Sequence, residues 1–233
     1  METPVRLAWL FDVDGTLLST HGAALAAYKG AVQDVMGAKD DLKDISFAGR
    51  IDNQILADIL AKYGIPAEDA IQKTFWDAVL RHMSSEMVPG RGSLLPGVPE
   101  LLDAVERDPT WVSTLLTGNM AAMAQIKLRH YGIERRFTMG AFGDEAADRD
   151  ELARLAVRRI TERYGVPNTR CIVIGDTVHD IAGARAAGAR MVSVATGPNP
   201  RAMLEALKPD WLLDNLTDTK EMLEWARGIA AGG

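Results

Sequence analysis

Short apolar runs alternate with amphipathic stretches along most of this 233-residue chain. The apolar runs are nearly continuous, which is typical of strands that are buried on both faces. They are Leu7–Phe11, Trp111–Leu116, Phe137–Phe142, Cys171–Ile174, Met191–Val194 and Trp211–Leu213. Helical patterns at 149–164 and 181–187 lie between the later runs, and Gly165 and Gly188 follow them as stop signals. This alternation predicts an α/β fold, a parallel sheet with helices on both faces.

One long segment, residues 18–93, breaks this alternation and contains no clear strand pattern. Its helical patterns are His21–Met36, Asp52–Tyr63 and Glu68–Met87. Because ordinary connections between elements are far shorter, a simple helical crossover is the weaker interpretation. We predict that residues 18–93 form an inserted helical cap, with 90–93 as the return hinge. The core domain is then formed by residues 1–17 and 94–233.

Composition and charge set the class of protein. Hydrophobic residues make up 47% of the chain and charged residues 25%, which is ordinary for a soluble globular protein. The formal net charge of −6 gives no overall basic surface for nucleic acid or an anionic membrane. The single cysteine, Cys171, excludes an intrachain disulfide and fits a reducing compartment. With no leader pattern and no apolar stretch of membrane-spanning length, we predict a cytoplasmic protein without nucleic-acid or membrane partners. The sequence does not indicate its oligomeric state.

Two carboxylates, Asp12 and Asp14, directly follow the first predicted strand. Side chains at positions i and i+2 of a strand point the same way, so the pair leaves the strand side by side. Gly15 then permits a sharp turn. Two close carboxylates in a dry cleft require a bound cation, or one of them must keep its proton. The alternative is an ordinary Asp-Gly turn with solvated acids.

A polar group follows the second long strand. Thr117, Gly118 and Asn119 combine a hydroxyl, exposed backbone N–H groups and an amide at the start of a helix, which suits a phosphate oxygen. Thr117 or Asn119 serving only as the helix N-cap is the alternative. Because ligands gather outside the carboxyl ends of parallel strands, this group is expected near the Asp12 pair.

Two more acids follow a later strand. Asp176 stands at the strand end, and Asp180 lies about one helical turn further on. Together with Asp12 they form a hard, oxygen-rich site that fits Mg²⁺. For Asp180 alone, a first-turn acid that complements the helix dipole is a good alternative interpretation, but it does not explain the group of acids.

Two arginines complete the candidate site. Arg149 opens a predicted helix, and its guanidinium can neutralise the acids and a phosphate together, although a solvated charge cluster is the alternative. Arg50, beside the flexible Gly49 in the cap, can pair with a second anionic group of a substrate. In the competing interpretation Asp52 caps a helix and Arg50 stays in solvent.

In this order the motifs resemble those of the haloacid dehalogenase-like (HAD) hydrolase superfamily, in its phosphatase branch with a helical cap, similar to phosphoglycolate phosphatases. Residues 12–16 (Asp-Val-Asp-Gly-Thr) are similar to the nucleophile motif, and 116–119 (Leu-Thr-Gly-Asn) to the second motif. Arg149 falls where the family carries Lys or Arg, and residues 175–180 resemble the acidic metal motif. The resemblance implies a Rossmann-like core with a cap inserted between the first two motifs.

The resemblance also implies a mechanism. Asp12 is the expected nucleophile, which forms an aspartyl-phosphate, and Asp14 is the expected proton donor and then acceptor. Mg²⁺ is expected on Asp12, the backbone carbonyl of Asp14, Asp176 and Asp180. Relatives that displace halide typically lack an acid at the position of Asp14, so this acid favours a phosphate ester.

The expected phosphate ligands are Thr117, Gly118, Asn119 and Arg149. The function that the resemblance implies is a Mg²⁺-dependent phosphatase for a small phosphorylated metabolite, such as phosphoglycolate, a sugar phosphate or a nucleotide. A sugar-phosphate mutase uses the same acids and stays open as an alternative. A phosphate-sensing or partner-binding protein without turnover is the other alternative.

Overall fold

Six parallel strands form the central sheet in the computed structural model, which describes residues 3–232. The strands, including a separate two-stranded ribbon, are β1 (Leu7–Phe11), β2 (Leu18–Ser19), β3 (Ser93–Leu94), β4 (Trp111–Thr117), β5 (Gly140–Phe142), β6 (Cys171–Gly175), β7 (Arg190–Val194) and β8 (Trp211–Leu213). The predicted α/β class is confirmed. The outermost residues of the predicted core, 1, 2 and 233, lie outside the described range.

The strand order β5-β4-β1-β6-β7-β8 places β1 in the middle of the sheet, between β4 and β6. Phe11 at the end of β1 is level with Leu115 of β4 and with Ile174 of β6. The residues that follow these three positions therefore leave the sheet at the same edge. This register positions the candidate site.

Helices cover both faces of the sheet. The helices are α1 (Ala23–Met36), α2 (Asp52–Lys62), α3 (Asp69–Glu86), α4 (Val98–Glu106), α5 (Ala121–His130), α6 (Arg149–Tyr164), α7 (Val178–Ala186), α8 (Arg201–Ala206) and α9 (Lys220–Ala231). Along β1, Leu7, Trp9 and Phe11 join the apolar cluster on one face, and Ala8 and Leu10 join the cluster on the other. Because both faces of the sheet are buried, polar residues do not alternate with apolar residues along its strands. None of the helices within residues 3–232 is both long enough and apolar enough to cross a membrane.

The helical insertion, α1 to α3, lies between β2 and β3 and has an apolar cluster of its own. That cluster includes Tyr28 of α1, Ile59 of α2 and Phe75 of α3. Its separation from the two sheet clusters agrees with the prediction of a cap, although the domain boundaries stay a prediction.

Two details of the predicted strands are wrong. Strands β2 and β3 pair antiparallel where residues 18–93 were expected to contain no strand, because two residues per strand are too few to give a periodic pattern. The expected strand at 137–142 is reduced to Gly140–Phe142, and a short 3₁₀-helix at 134–136 precedes it.

Candidate active site

A cavity of about 360 Å³ lies at the carboxyl edge of β1, β4 and β6, between the sheet and the helical insertion. The predicted site residues that line it are Asp12, Asp14, Arg50, Gly118, Asn119, Arg149 and Asp176. The two others, Thr117 and Asp180, are fully buried and contact residues that do line it. The structure therefore brings together all the predicted site residues, which lie far apart in the sequence.

Three of the acids form a tight group. One carboxylate oxygen from each of Asp12, Asp176 and Asp180 lies within 4.8 Å of the other two, and all three residues are buried. Burial raises the pKa of Asp12 to about 7, partly opposed by Arg149 and reinforced by Asp180. Burial and the two neighbouring carboxylates also raise the pKa of Asp176 well above its usual value. Oxygen ligands that repel one another fit a hard divalent cation, so the group suits a metal site.

Arg149, the first residue of α6, is the cation beside this acidic group. Its Nη2 lies 3.1 Å from Oδ1 of Asp12, pairs with Asp180 and donates to the carbonyl of Leu116 at 3.2 Å. Burial by itself lowers the pKa of Arg149. The charges and hydrogen bonds of Asp180 and Asp12 raise the pKa by a larger amount, so the net shift is upward. Its buried Nε has no hydrogen-bond partner among residues 3–232. A buried guanidinium with an unused donor suits an anionic ligand such as a phosphoryl group.

Asp180 satisfies both interpretations of its position. Its Oδ2 accepts hydrogen bonds from the backbone N–H and the hydroxyl of Thr177, at 3.0 and 2.6 Å, in a capping box at the start of α7. Its Oδ1 pairs with Arg149. Asp180 is thus a helix-start acid that also belongs to the acidic group.

Asp14 has a separate cation that the sequence analysis did not find. Lys127 of α5 is 2% exposed, and its Nζ donates to Oδ2 of Asp14 at 2.5 Å and to Oδ1 of Asn119 at 2.6 Å. The Asn119 amide also donates to Oδ2 of Asp14 at 2.8 Å. The two acids of the first motif therefore face the same cavity, but Asp12 pairs with Arg149 and Asp14 with Lys127.

The N-cap interpretation of Thr117 and Asn119 is wrong. The N-cap residue of α5 is Met120, whose N–H donates to Oδ2 of Asp52 at 2.7 Å. Thr117 instead accepts hydrogen bonds through Oγ1 from the Asn119 amide at 2.8 Å and from the Asn119 backbone N–H at 3.3 Å. These contacts orient Asn119 toward Asp14.

Asp52 connects the helical insertion to the sheet edge. Besides the Met120 N–H, its carboxylate accepts a hydrogen bond from the Tyr28 hydroxyl at 2.8 Å, and its own N–H donates to the Gly118 carbonyl at 2.8 Å. Burial raises the pKa of Asp52 to about 6, opposed by the Met120 N–H and the charge of Lys127. The insertion is therefore held over the cavity by specific hydrogen bonds.

Gly15 and Thr16 support the acidic group, and Thr16 is a second contact that sequence reasoning missed. The Thr16 hydroxyl donates to Oδ1 of Asp176 at 2.9 Å. Gly15 has a φ of +79°, and a Cβ there would overlap the Asp176 carboxylate. Only glycine fits this turn, since the left-handed conformation and the close carboxylate both exclude a side chain.

Arg50 lines the cavity, but its guanidinium pairs with Asp58 of α2. Neither of the two side chains is fully buried. Its backbone carbonyl lies so close to Gly118 that a Cβ on this glycine would overlap it. Binding of a second substrate anion by Arg50 stays a prediction, and the pair with Asp58 argues against it.

The fold and this acidic site define an α/β protein with a candidate active site at the carboxyl edge of a parallel sheet. The chain belongs to the haloacid dehalogenase-like hydrolase family, which it matches over residues 8–188. The resemblance seen in the sequence and the prediction of an enzyme are confirmed.

The chain is similar to proteins of this family that act on phosphate esters by name, and to a solved structure. A phosphoglycolate phosphatase of Synechococcus elongatus is 30% identical over 211 residues, 91% of this chain and 94% of that protein. A 5'-nucleotidase of Pseudomonas aeruginosa is 26% identical over 219 residues, 92% of this chain and 94% of that protein. The crystal structure of CbbY from Rhodobacter sphaeroides in complex with phosphate has a TM-score of 0.74 at 23% identity, covering 93% of this chain and 97% of that one. The fold predicted from the sequence is the fold of this solved structure.

Proposed function

We propose that this chain is a Mg²⁺-dependent phosphatase that hydrolyses a small phosphate monoester through an aspartyl-phosphate on Asp12. The observation that carries the proposal is the division of the two acids of the first motif between two buried cations. Asp12 pairs with Arg149 and Asp14 pairs with Lys127, and all four residues line the same cavity. The names of the relatives support phosphoglycolate, a nucleotide or a sugar phosphate as the substrate.

Asp12 is the proposed nucleophile. A carboxylate oxygen of Asp12 attacks the phosphorus, the bond from phosphorus to the ester oxygen breaks, and the alcohol leaves. Arg149, whose buried Nε has no hydrogen-bond partner in the described part of the chain, binds the phosphoryl oxygens and holds Asp12 through the 3.1 Å ion pair. Gly118 also lines the cavity, and its backbone N–H is a further proposed donor to the phosphoryl oxygens.

Asp14 is the proposed proton carrier. It protonates the leaving alkoxide, and it then takes a proton from the water that attacks the phosphorus of the aspartyl-phosphate. Asn119 and Lys127 hold one of its oxygens through hydrogen bonds, and its side chain keeps 41% exposure toward the cavity. Thr117 orients Asn119, because its hydroxyl oxygen accepts a hydrogen bond from the Asn119 side-chain amide. The products are inorganic phosphate and free Asp12.

Mg²⁺ fits the acidic group of Asp12, Asp176 and Asp180, with the backbone carbonyl of Asp14 as a further proposed ligand. When bound, the ion offsets the negative charge of the carboxylates and the phosphoryl group. We also propose that residues 18–93 act as a cap domain over a core of residues 1–17 and 94–233. The hydrogen bonds of Asp52 to α1 and α5 support this division of roles.

Release of inorganic phosphate from a panel of monoesters, with Mg²⁺ and with a chelator, tests the proposal. We expect turnover that depends on Mg²⁺. Absence of turnover on every ester would instead favour a phosphate-sensing protein. Conversion between two positions of a sugar phosphate, without phosphate release, would indicate a mutase.

Mg²⁺ should also stabilise the fold, because it relieves repulsion among buried carboxylates. At free Mg²⁺ about 100 times its dissociation constant, we expect the melting temperature to rise by roughly 5–10 °C over chelator-treated protein. Asp176→Asn should lose most of this shift. The matched control is Asp214→Asn, at a carboxylate that is 81% exposed and should keep the shift. A Mg²⁺-independent melting temperature in the unmodified chain would contradict the metal assignment.

A further inference from the structure

Away from the acids, the wall of the cavity is apolar. The residues that form this part of the wall are Leu25, Tyr28, Phe47, Ile55 and Met123. The helical insertion supplies the first four, and α5 supplies the last. This wall faces the space that the alcohol part of a bound phosphate ester must occupy. An apolar wall gains free energy when it covers an apolar group and none when it covers a charge.

Every cation that lines the cavity already faces a carboxylate. Within the described residues these cations are Arg50, Lys127 and Arg149. Arg149 pairs with the acidic group, Lys127 with Asp14, and Arg50 with Asp58. The phosphoryl group of the substrate can use Arg149, but a second anionic group would have to displace an existing ion pair.

Asp52 adds a negative group to the same wall. It is 5% exposed and lines the cavity. Its one hydrogen-bond donor, the backbone N–H, already donates to the Gly118 carbonyl. Its carboxylate accepts hydrogen bonds from the Tyr28 hydroxyl of the insertion and from the Met120 N–H. A substrate carboxylate or second phosphate placed there would meet a like charge in a poorly hydrated setting, which disfavours its binding.

From these contacts we infer that the substrate is the phosphate monoester of an uncharged alcohol with an apolar portion, and that a second anionic group on the substrate is disfavoured. The inference rests on the proposed phosphatase function and narrows its substrate class. Among the substrates considered, it favours a nucleoside monophosphate or a neutral alkyl or aryl ester over phosphoglycolate. The specificity arises from the paired state of Arg50 and from Asp52, in addition to the apolar wall.

The test compares phosphoglycolate with ethylene glycol monophosphate, in which a hydroxymethyl group replaces the carboxylate. We expect kcat/KM to be about tenfold or more higher for the neutral ester. Benzyl phosphate should exceed methyl phosphate by about tenfold or more, because the apolar wall contacts the ring. If kcat/KM for phosphoglycolate equals or exceeds the value for ethylene glycol monophosphate, this inference is wrong, while the phosphatase proposal stands. Absence of turnover on all four esters overturns the phosphatase proposal, and the inference with it.

A variant can isolate the charge argument. Asp58→Asn releases Arg50 from its ion pair, so kcat/KM for phosphoglycolate should rise by about tenfold. The value for ethylene glycol monophosphate should stay unchanged. Asp44→Asn is the matched control: Asp44 also pairs with a cation of the insertion, Lys62 at 2.6 Å, but does not line the cavity. Equal responses to the two esters in Asp58→Asn would contradict the role of the Arg50 pair.

Discussion

Asp12→Asn should lower kcat/KM for the best ester by roughly 10⁴-fold or more, because it removes the nucleophile while keeping its shape. The amide can still lie beside Arg149, so the packing of the site is preserved. The substitution also removes one of three mutually repelling buried carboxylates. We therefore expect no loss of melting temperature in chelator-treated protein. Steady-state phosphate release and thermal unfolding of the same preparation measure both quantities.

The matched control for Asp12→Asn is Asp103→Asn, at a partly exposed carboxylate that pairs with Arg136 at 2.8 Å. Its activity should equal that of the unmodified chain. If Asp12→Asn were folded and still turned over substrate within about a hundredfold of the unmodified rate, a covalent role for Asp12 would be untenable.

Lys127→Met should impair esters whose leaving alkoxide needs a proton. Removing a general acid typically costs about 10²-fold or more, so we expect that loss of kcat/KM for an alkyl phosphate. For p-nitrophenyl phosphate, whose leaving group departs without a proton, the loss should stay within about tenfold. The reason is geometric. Lys127 and Asn119 both donate hydrogen bonds to Oδ2 of Asp14, and in Lys127→Met only the bond from Asn119 is left to orient this carboxylate. The ratio of the two kcat/KM values is the readout.

Two controls separate positioning of Asp14 from general damage by Lys127→Met. In an Asp14→Asn background, Lys127→Met should cause little further loss, because both changes act on the same proton transfer. Lys73→Met, at a lysine that is 77% exposed on α3, should leave both esters unaffected. Equal losses for alkyl and aryl esters, or additive losses with Asp14→Asn, would show that Lys127 is merely structural.

The acids of the site could be predicted because each stands at a boundary that the sequence reveals. Asp12 and Asp14 follow a continuous apolar run, and Asp176 follows another, so strand adjacency alone brings them to one edge. Arg149 was located by its position at a helix start together with the family resemblance. Its contacts with Asp12 and Asp180 depend on tertiary packing.

Lys127 could not be predicted in the same way. A lone lysine on a helix is ordinarily solvated, and its partner Asp14 is 113 residues away in the sequence. The signal that was available is its spacing of four residues from the buried Met123, which places it on the inward face of α5. The start of α5 was misinterpreted for a similar reason, because Asp52, 68 residues away, takes the contact expected from a local N-cap.

The long elements of the fold followed from hydrophobic pattern, whereas short ones depended on tertiary contacts. Six apolar runs became the six strands of the sheet, since burial on both faces leaves a strong signal. The ribbon of β2 and β3 is held by two residue pairs, which are too few to give a hydrophobic pattern in the sequence. Its position, where the chain enters and leaves the helical insertion, explains why the break in alternation begins and ends there.

The stereochemical course at phosphorus tests the central claim, the aspartyl-phosphate on Asp12, most directly. The experiment uses an ester made chiral at phosphorus by isotopic labelling of its oxygens, and it captures the released phosphoryl group on an acceptor alcohol. Attack by Asp12 and then attack on the aspartyl-phosphate are two in-line displacements, and each inverts the configuration. The account therefore predicts net retention. Net inversion would show a single displacement by the acceptor itself and would contradict it.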